Sequence, residues 1–306
     1  MWLFALFAIA GGAAQLVDGT LGMGFGVTSA TILLYMGVSA AAASAATHAA
    51  KLPTTLVSGI AHWRQGNVDK ATFIRLAIPG AIMAFIGAVV LVNLSLATAK
   101  AWMAALLFFF GIVIFVRFGF NYRIIPAPRG GHKARWLSPI GALGGFVDAT
   151  GGGGWGPVVT PSLMTVSKLE PRRVVGSVNA AEFVVALAAS IGFLTGADKL
   201  EDDMPWFAVA GLVTGGVIVA PFAARLAGRL PHHVMGTMVG GLIMIVNSQV
   251  IILAIGGVSA GIGWGLVALA VVATVMVAKR AYVHDVAERA RLSHTDQDAP
   301  ALEHLP

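Results

Sequence analysis

A series of long apolar runs constrains the fold of this chain more than any other feature of its sequence. An α-helix needs about 20 apolar residues to cross a bilayer. Seven runs of that kind lie near 42–61, 73–93, 98–117, 174–195, 206–226, 233–254 and 263–280. Only 11% of the residues are charged, whereas soluble domains carry about 25%. The sequence therefore predicts an all-α polytopic membrane protein.

Two further apolar segments, 2–37 and 137–166, are interrupted in the middle by glycines and an aspartate. The interruption of the second segment is contained in GFVDATGGGGWGP, residues 145–157. Backbone without helical hydrogen bonds is tolerated at membrane depth only where it is buried in protein or lines a wet cavity. We therefore expect both interruptions to lie inside the protein, at a functional site.

The two interrupted segments are copies of one another at an offset of 130 residues, and the similarity continues into the helices that follow, after one inserted residue. The aligned pairs are Val17 and Val147, Asp18 and Asp148, Thr20 and Thr150, Gly22 and Gly152, Gly24 and Gly154, Phe25 and Trp155, Gly26 and Gly156, His48 and Asn179, and Lys51 and Glu182. The chain therefore consists of two homologous halves.

The basic loops predict how these halves are oriented, because Lys and Arg concentrate in short cytoplasmic loops. The basic gaps are 62–75, 117–135, 168–173, 225–233 and the tail from Lys279. They all fall on one side only if each broken segment enters the membrane and returns. This predicts two inverted repeats, each a re-entrant helical hairpin plus three transmembrane helices. For either broken segment, two short full crossings remain an alternative.

The same pattern predicts where the parts of the chain begin and end. Residues 1–117 form the first membrane repeat, 118–136 a basic cytoplasmic linker, 137–254 the second repeat, 255–281 an extra transmembrane helix and 282–306 a solvated tail. No basic residue precedes the first apolar stretch, so we interpret it as a retained membrane segment rather than a cleaved signal. The N-terminus is predicted outside the cytoplasm and the C-terminus inside it.

Several classes of function are disfavoured by what the sequence lacks. The chain has no cysteine, which excludes disulfides and thiol chemistry, and its eight histidines lack the spacing of a zinc enzyme. The glycine runs are not followed by the Gly-Lys-Ser/Thr of a nucleotide loop. The net charge of +6 is explained by basic loops rather than by nucleic acid. We expect no enzyme, no cofactor, no metal and no nucleic-acid partner.

The glycine interruptions predict an anion site. Glycine permits unwound backbone with free N–H groups, and a helix that restarts after the break carries a partial positive charge at its N-terminus. The predicted substrate-binding residues of the two breaks are Gly22, Gly24, Gly26, Gly152, Gly153, Gly154 and Trp155. The alternative is that these glycines only allow close helix packing.

Three carboxyl groups, on Asp18, Asp148 and Glu182, are predicted to carry coupling protons. A charge within the bilayer costs about 3 kcal/mol or more, so such residues are usually functional. Burial away from water also favours the protonated form of a carboxyl group. For the two aspartates, the alternative is that they cap the broken helices.

Lys51 is predicted to bind the anion, although it could instead pair with Glu182. His48 and Asn179 lie one turn before these two residues on the same helix faces. We interpret them as hydrogen-bonding groups for the substrate, or as satisfied polar groups of the core.

Together these motifs resemble the sulfite exporter TauE/SafE family, also called the toluene sulfonate uptake permease family. The resemblance covers about residues 8–280 and rests on GMGFGVTSATIL, GGGGWGPVVTPSLM, ASAATHAAKL, VGSVNAAEF and WRQGNVD. The first half departs from the pattern with Thr31, where the second half has Pro161.

The resemblance implies a proton-linked secondary transporter of small sulfur-containing or organic anions, such as sulfite or sulfonates. It also implies an integral protein of the bacterial inner membrane. Its partners would then be a small anionic substrate, protons and the lipid bilayer. The alternatives are an anion channel and a membrane-embedded accessory subunit without transport coupling.

Overall fold

The computed structural model describes residues 2–120, 134–226, 232–255, 269–280 and 282–283, and its regular secondary structure is helical throughout these residues. The helices are α1 (Trp2–Leu21), α2 (Phe25–Tyr35), α3 (Ala40–Arg64), α4 (Lys70–Asn93), α5 (Leu96–Gly119), α6 (Leu137–Gly151), α7 (Trp155–Val166), α8 (Pro171–Leu194), α9 (Ala197–Leu200), α10 (Trp206–Leu226), α11 (His232–Ile255) and α12 (269–280). The predicted all-α fold is confirmed. The predicted linker, extra helix and tail lie largely outside the described residues.

Among the described residues, six helices have the length and hydropathy to cross a membrane: α1, α4, α5, α8, α10 and α11. The protein is therefore a multi-pass membrane protein. Helix α3, which contains the predicted span 42–61, has 25 residues and is long enough to cross. It is less apolar than the six because it buries polar side chains, among them Thr47, His48 and Lys51.

Each broken segment forms two helices that are separated by glycines. Helix α1 ends before Gly22 and α2 begins after Gly24, while α6 and α7 are separated by residues 152–154. Gly22, Gly24 and Gly152 have φ angles of 70°, 144° and 73°. Residues with a side chain rarely adopt this left-handed region, so the glycines permit the breaks.

The first broken segment is a hairpin. Helix α10 runs parallel to α1, because Gly11 contacts Leu212 and, further along both helices, Gly19 contacts Ala223. Helix α10 also runs parallel to α3. Thr54 of α3 contacts Gly216, and Arg64 and Arg225 line one cavity at the ends of the two helices. Because α1 and α3 run in the same direction, α2 between them runs back. Helix α2 has 11 residues, which is too short for a full crossing.

The second broken segment has the same geometry. Helices α4 and α6 run parallel, because Leu76 contacts Gly141 and, one turn further along, Gly80 contacts Gly145. Helices α4 and α8 also run parallel, because Gly80 contacts Val185 and, towards the other end, Val92 contacts Gly196. These helices are parallel, so α6 and α8 run in the same direction and α7 runs back. Helix α7 has 12 residues and is again too short to cross alone.

The two halves are inverted relative to one another. Helices α3 and α8 are equivalent in the repeat, yet they pack antiparallel: Ser58 lies against Asn179, Lys51 against Glu182 and His48 against Phe193. Equivalent membrane helices that run in opposite directions require a pseudo-two-fold axis in the membrane plane. The predicted inverted repeat is therefore present.

The halves also exchange their hairpins. Helix α1 packs most extensively on α10 of the second half, and its equivalent α6 packs on α4 of the first half. Backbones touch in both interfaces, at Gly12 and Gly215 and at Gly80 and Gly145. Small residues therefore allow close packing along these helix faces. Close packing was also the alternative explanation for the glycines at the breaks.

Candidate functional site

The two helix breaks meet beside the middle of α3. A β-carbon on Gly26 would lie 2.7 Å from both the Cα of Gly153 and the Cε of Lys51. The pseudo-symmetric contact is equally close, since a β-carbon on Gly156 would lie 2.6 Å from the Cα of Met23. Backbones in such contact leave no room for side chains, so glycine at these positions lets the breaks touch.

A buried lysine at this junction holds two carboxylates. The Nζ of Lys51 lies 2.7 Å from Oδ1 of Asp148 and 3.0 Å from Oε1 of Glu182. The three side chains are at most 4% exposed. They come from α3, α6 and α8, so the ion pairs join the two halves. The pairing of Lys51 with Glu182 is the alternative left open by the sequence.

Asp148 also shares a hydrogen bond with His48 and accepts one from the start of α7. Its Oδ2 lies 3.1 Å from His48 Nε2, and its Oδ1 lies 3.0 Å from the backbone N of Trp155. His48 Nδ1 lies 2.8 Å from the carbonyl oxygen of Ser44 and must donate to it, because a carbonyl only accepts. The contact between His48 Nε2 and Asp148 therefore contains a further proton, carried by the imidazole or by the carboxyl group.

Asp18 occupies the equivalent position in the first half with far fewer partners. Its Oδ1 accepts a bond of 3.4 Å from the backbone N of Phe25, the first residue of α2. Its Oδ2 has no hydrogen-bond partner among the described residues, although Asp18 is 2% exposed. Both aspartates therefore contact the first residue of the helix that restarts after their break. Only Asp148 is also bound to other side chains.

The remaining predicted residues surround this junction without joining the ion pairs. The carbonyl oxygen of Gly22 accepts a bond of 2.6 Å from Thr160, which ties the first break to α7. Trp155 is fully buried, and its indole Nε1 donates to the carbonyl oxygen of Val178 at 3.1 Å. Asn179 donates to its own helix and accepts a bond of 3.3 Å from Ser58. Substrate binding by these residues stays a prediction.

Comparison with known proteins places the chain in a family. Residues 7–250 match the family model described as "Sulfite exporter TauE/SafE". The chain belongs to this family. It is also 44% identical over 250 residues to the "Probable membrane transporter protein YtnM" of Bacillus subtilis (strain 168), which covers 81% of this chain and 82% of that protein. No solved structure matches the chain.

In this TauE/SafE family member, a cavity of about 660 Å³ lies between α3 and α10. It is lined by Val57, Ile60, Ala61, Arg64, Gln65, Pro221 and Arg225. It begins about two turns beyond Lys51 along α3 and ends at two arginines. A cavity with a basic end raises the local concentration of anions. The sequence did not indicate it, because nothing in the pattern pairs α3 with α10.

Two features of the charged junction were missed from the sequence. His48 was interpreted as a substrate group or as a satisfied polar group of the core, but its contact with Asp148 was not foreseen. Ser44 supports this pair, because its hydroxyl donates to the carbonyl oxygen of Ala149 at 2.6 Å while its own carbonyl accepts from His48. A signal was present, since Ser44, His48 and Lys51 recur at helical spacing within an apolar segment.

Proposed function

We propose that this protein is a secondary transporter of small sulfur-containing or organic anions, such as sulfite or sulfonates, and that protons drive it. Membership of the sulfite exporter family and the relative named as a probable transporter support this class of function. The observation that carries the proposal is the buried cluster of Lys51, Asp148 and Glu182 at the junction of two helix breaks. Ionisable residues inside membranes are rare and usually mark a transport pathway.

The cluster supports coupling of the anion to protons. One lysine faces two carboxylates, so it attracts an anion strongly only when carboxylate charge is neutralised. A proton taken up by one of the three carboxyl groups near Lys51, on Asp18, Asp148 or Glu182, leaves more of the positive charge of the lysine to attract the anion. The backbone N–H groups of the breaks and the N-termini of α2 and α7 are the further donors that we assign to the substrate. Binding of anion and proton would then favour one another.

The proposed orientation puts the N-terminus outside and the C-terminus inside the inner membrane of a bacterium. With the helix directions described above, Arg64, Lys70, Arg117, Arg135 and Arg225 all lie on one side of the membrane, as expected for the cytoplasmic face. The chain has no cysteine, so single cysteines report their own position. Ser95→Cys and Ser138→Cys should react with an impermeant maleimide from opposite faces. Reaction from one face would contradict this orientation.

The direct test is flux of labelled sulfite into liposomes that contain the purified protein. With the membrane potential clamped, a pH gradient should accumulate sulfite above its equilibrium concentration, and liposomes without protein should not. The anion should be recovered chemically unchanged, since we propose transport and no catalysis. Flux that only dissipates a sulfite gradient, whatever the pH gradient, would instead indicate a channel. No flux of sulfite or any sulfonate would favour an accessory subunit.

A further inference from the structure

The first half buries polar side chains for which the second half has apolar residues. Four of them that lie close to the first break have side-chain atoms without a hydrogen-bond partner among the described residues, and their exposure ranges from 0% to 9%. With their equivalents in the repeat, they are Gln15 and Gly145, Thr28 and Val158, Ser29 and Val159, and Thr47 and Val178. A buried polar group without a hydrogen-bond partner destabilises the fold. These groups therefore indicate a polar ligand or bound water.

The four side chains, which we call the first-half donors, belong to segments that meet at the first break. Gln15 lies one turn before Asp18 on α1, and Asp18 accepts from Phe25 N at the start of α2. Thr28 and Ser29 lie one turn further along α2. Gly26 of α2 touches Lys51 of α3, and Thr47 lies one turn before Lys51. The donors thus come from all three helices around the N-terminus of α2.

The chemistry of this set fits an oxyanion. Hydroxyl and amide groups supply hydrogen-bond donors without adding charge, and an oxyanion presents only acceptors to them. The free N–H groups at the N-terminus of α2, an 11-residue helix, are further hydrogen-bond donors that favour an anion. The bare Oδ2 of Asp18 lies at the same end of α2. When ionised it repels an anion, and when protonated it becomes one more donor.

The charges around Asp18 oppose the entry of an anion alone. Lys51 on α3, Asp148 on α6 and Glu182 on α8 are within electrostatic reach of Asp18, and His62 on α3 lies beside Gly19. The lysine and the three carboxyl groups have a net charge of −2 when all are ionised, and the further proton in the contact between His48 and Asp148 brings the site to −1. A further negative charge in this buried site requires a compensating proton. Asp18 is the group to which we assign this proton, because its buried Oδ2 has no hydrogen-bond partner among the described residues.

We infer that the first break binds one oxyanion through the first-half donors, and that Asp18 takes up one proton when the anion binds. The proton enters with the anion from one side of the membrane and leaves with it on the other, so anion and proton move in the same direction. This inference rests on the proposed function and names the binding residues and the proton carrier. Asp148, already bound by Lys51, His48 and Trp155, acts as the fixed charge that holds Lys51 in place.

The first experiment measures anion binding without transport. Sulfite, sulfate and methanesulfonate are added to the purified protein in detergent, and dissociation constants are derived from the rise in unfolding temperature. Thr47→Val and Ser29→Ala should each weaken binding by about tenfold or more, because each removes a donor to a charged ligand. Thr150→Val is the matched control, since this buried hydroxyl near the second break already donates to Phe146 of its own helix. It should bind as the wild type does.

The second experiment measures the proton. Binding of sulfite to the wild-type protein in weakly buffered solution should take up one proton per anion bound, measured with a pH indicator at several pH values. Asp18→Asn retains the shape of the protonated carboxyl group, so it should bind sulfite without proton uptake. In liposomes it should exchange sulfite but lose accumulation driven by a pH gradient. Proton uptake that persists in Asp18→Asn would overturn the assignment of Asp18.

The outcomes separate this inference from the proposed function. If the wild type binds and transports sulfite and Thr47→Val and Ser29→Ala behave in the same way, the first-half donors hold only water. The inference is then wrong, while the proposed function stands. If the wild type binds none of the three anions and transports none of them, the proposed substrate class is wrong and the inference falls with it. Unfolding temperatures without anion show that each variant is folded before its affinity is compared.

Discussion

The two helix breaks share a sequence pattern and a backbone geometry, but their surroundings differ. At the second break, Asp148 contacts Lys51, His48 and the start of α7 within 3.1 Å. At the first break, Asp18 accepts one hydrogen bond of 3.4 Å, and its second oxygen has no partner within the part of the chain that the structure describes. The repeat therefore conserved the shape of the break while its chemistry diverged. The second break holds charge in a network of ion pairs, whereas polar groups near the first lack partners among the described residues, and this difference supports the binding site that we propose there.

The largest effect should come from a side chain at the contact between the breaks. In Gly153→Ala the new β-carbon would lie 2.7 Å from the Cα of Val27, so backbone must move and the breaks must separate. We expect transport of sulfite to be abolished while the helices still insert. The equivalent position in the first half is Met23, and Met23→Leu should keep most of the flux because it preserves apolar volume. Normal flux by Gly153→Ala would show that contact between the breaks is dispensable.

Loss of Lys51 should have the next largest effect. Lys51→Met leaves Asp148 and Glu182 buried without their cation, and such a loss costs about 3–5 kcal/mol of unfolding free energy. Denaturant unfolding in detergent measures it.

A double variant then separates folding from function. Lys51→Met combined with Asp148→Asn removes both charges of the closest pair and should recover part of the stability, but not sulfite flux. Recovery of full flux in the double variant would mean that the pair is only structural.

Part of this architecture could be predicted from the sequence because it depends on local pattern. Apolar runs of bilayer length predict the helices, and the repeat with its basic loops predicts the inversion. Glycines that follow an aspartate within an apolar segment predict the two helix breaks. Contacts across the repeat could not be predicted in this way, because an alignment of Lys51 with Glu182 shows equivalence rather than proximity. The ion pair from Lys51 to Asp148, 97 positions away, depends on how α3 and α6 pack.

The difference between the breaks could have been found by comparing the halves position by position. Gln15 and Thr47 stand where the second half has Gly145 and Val178, and this contrast is visible without coordinates. Whether a buried hydroxyl is already bonded is not visible. Thr20 and Thr150 donate to their own helices, whereas Thr47 does not, and only the structure separates these cases.

Neutralising the two aspartates should give unequal losses of stability. Both oxygens of Asp148 accept from Lys51, so in Asp148→Asn the new amide N–H groups face this donor in either orientation, and we expect a loss of about 1–3 kcal/mol. In Asp18→Asn no side-chain partner is lost, and the change should stay below about 1 kcal/mol. Unfolding temperatures of the two variants at one pH measure the difference. Equal losses would show that the two aspartates share one structural role.

The smallest effect should come from the arginines at the end of the cavity between α3 and α10. Arg64→Gln and Arg225→Gln alter residues outside the Lys51 cluster and change the field that anions meet on entry. We expect roughly a two- to threefold lower initial rate of sulfite flux at low ionic strength. The difference should disappear near 1 M salt, where the Debye length is about 3 Å. A defect that persists at high salt would place one of these arginines in direct contact with the anion.

The exchanged hairpins also determine the order in which the molecule can be completed during synthesis. Helix α1 leaves the ribosome before α10, but its glycine face packs against α10, which begins roughly 185 residues after α1 ends. At about 5–20 residues per second, that partner emerges some 10–40 s later. Until then the first hairpin has no native neighbour for this face, and it must wait in lipid or beside an insertion factor. Nascent chains stalled before α10 are therefore the ones most exposed to membrane quality control.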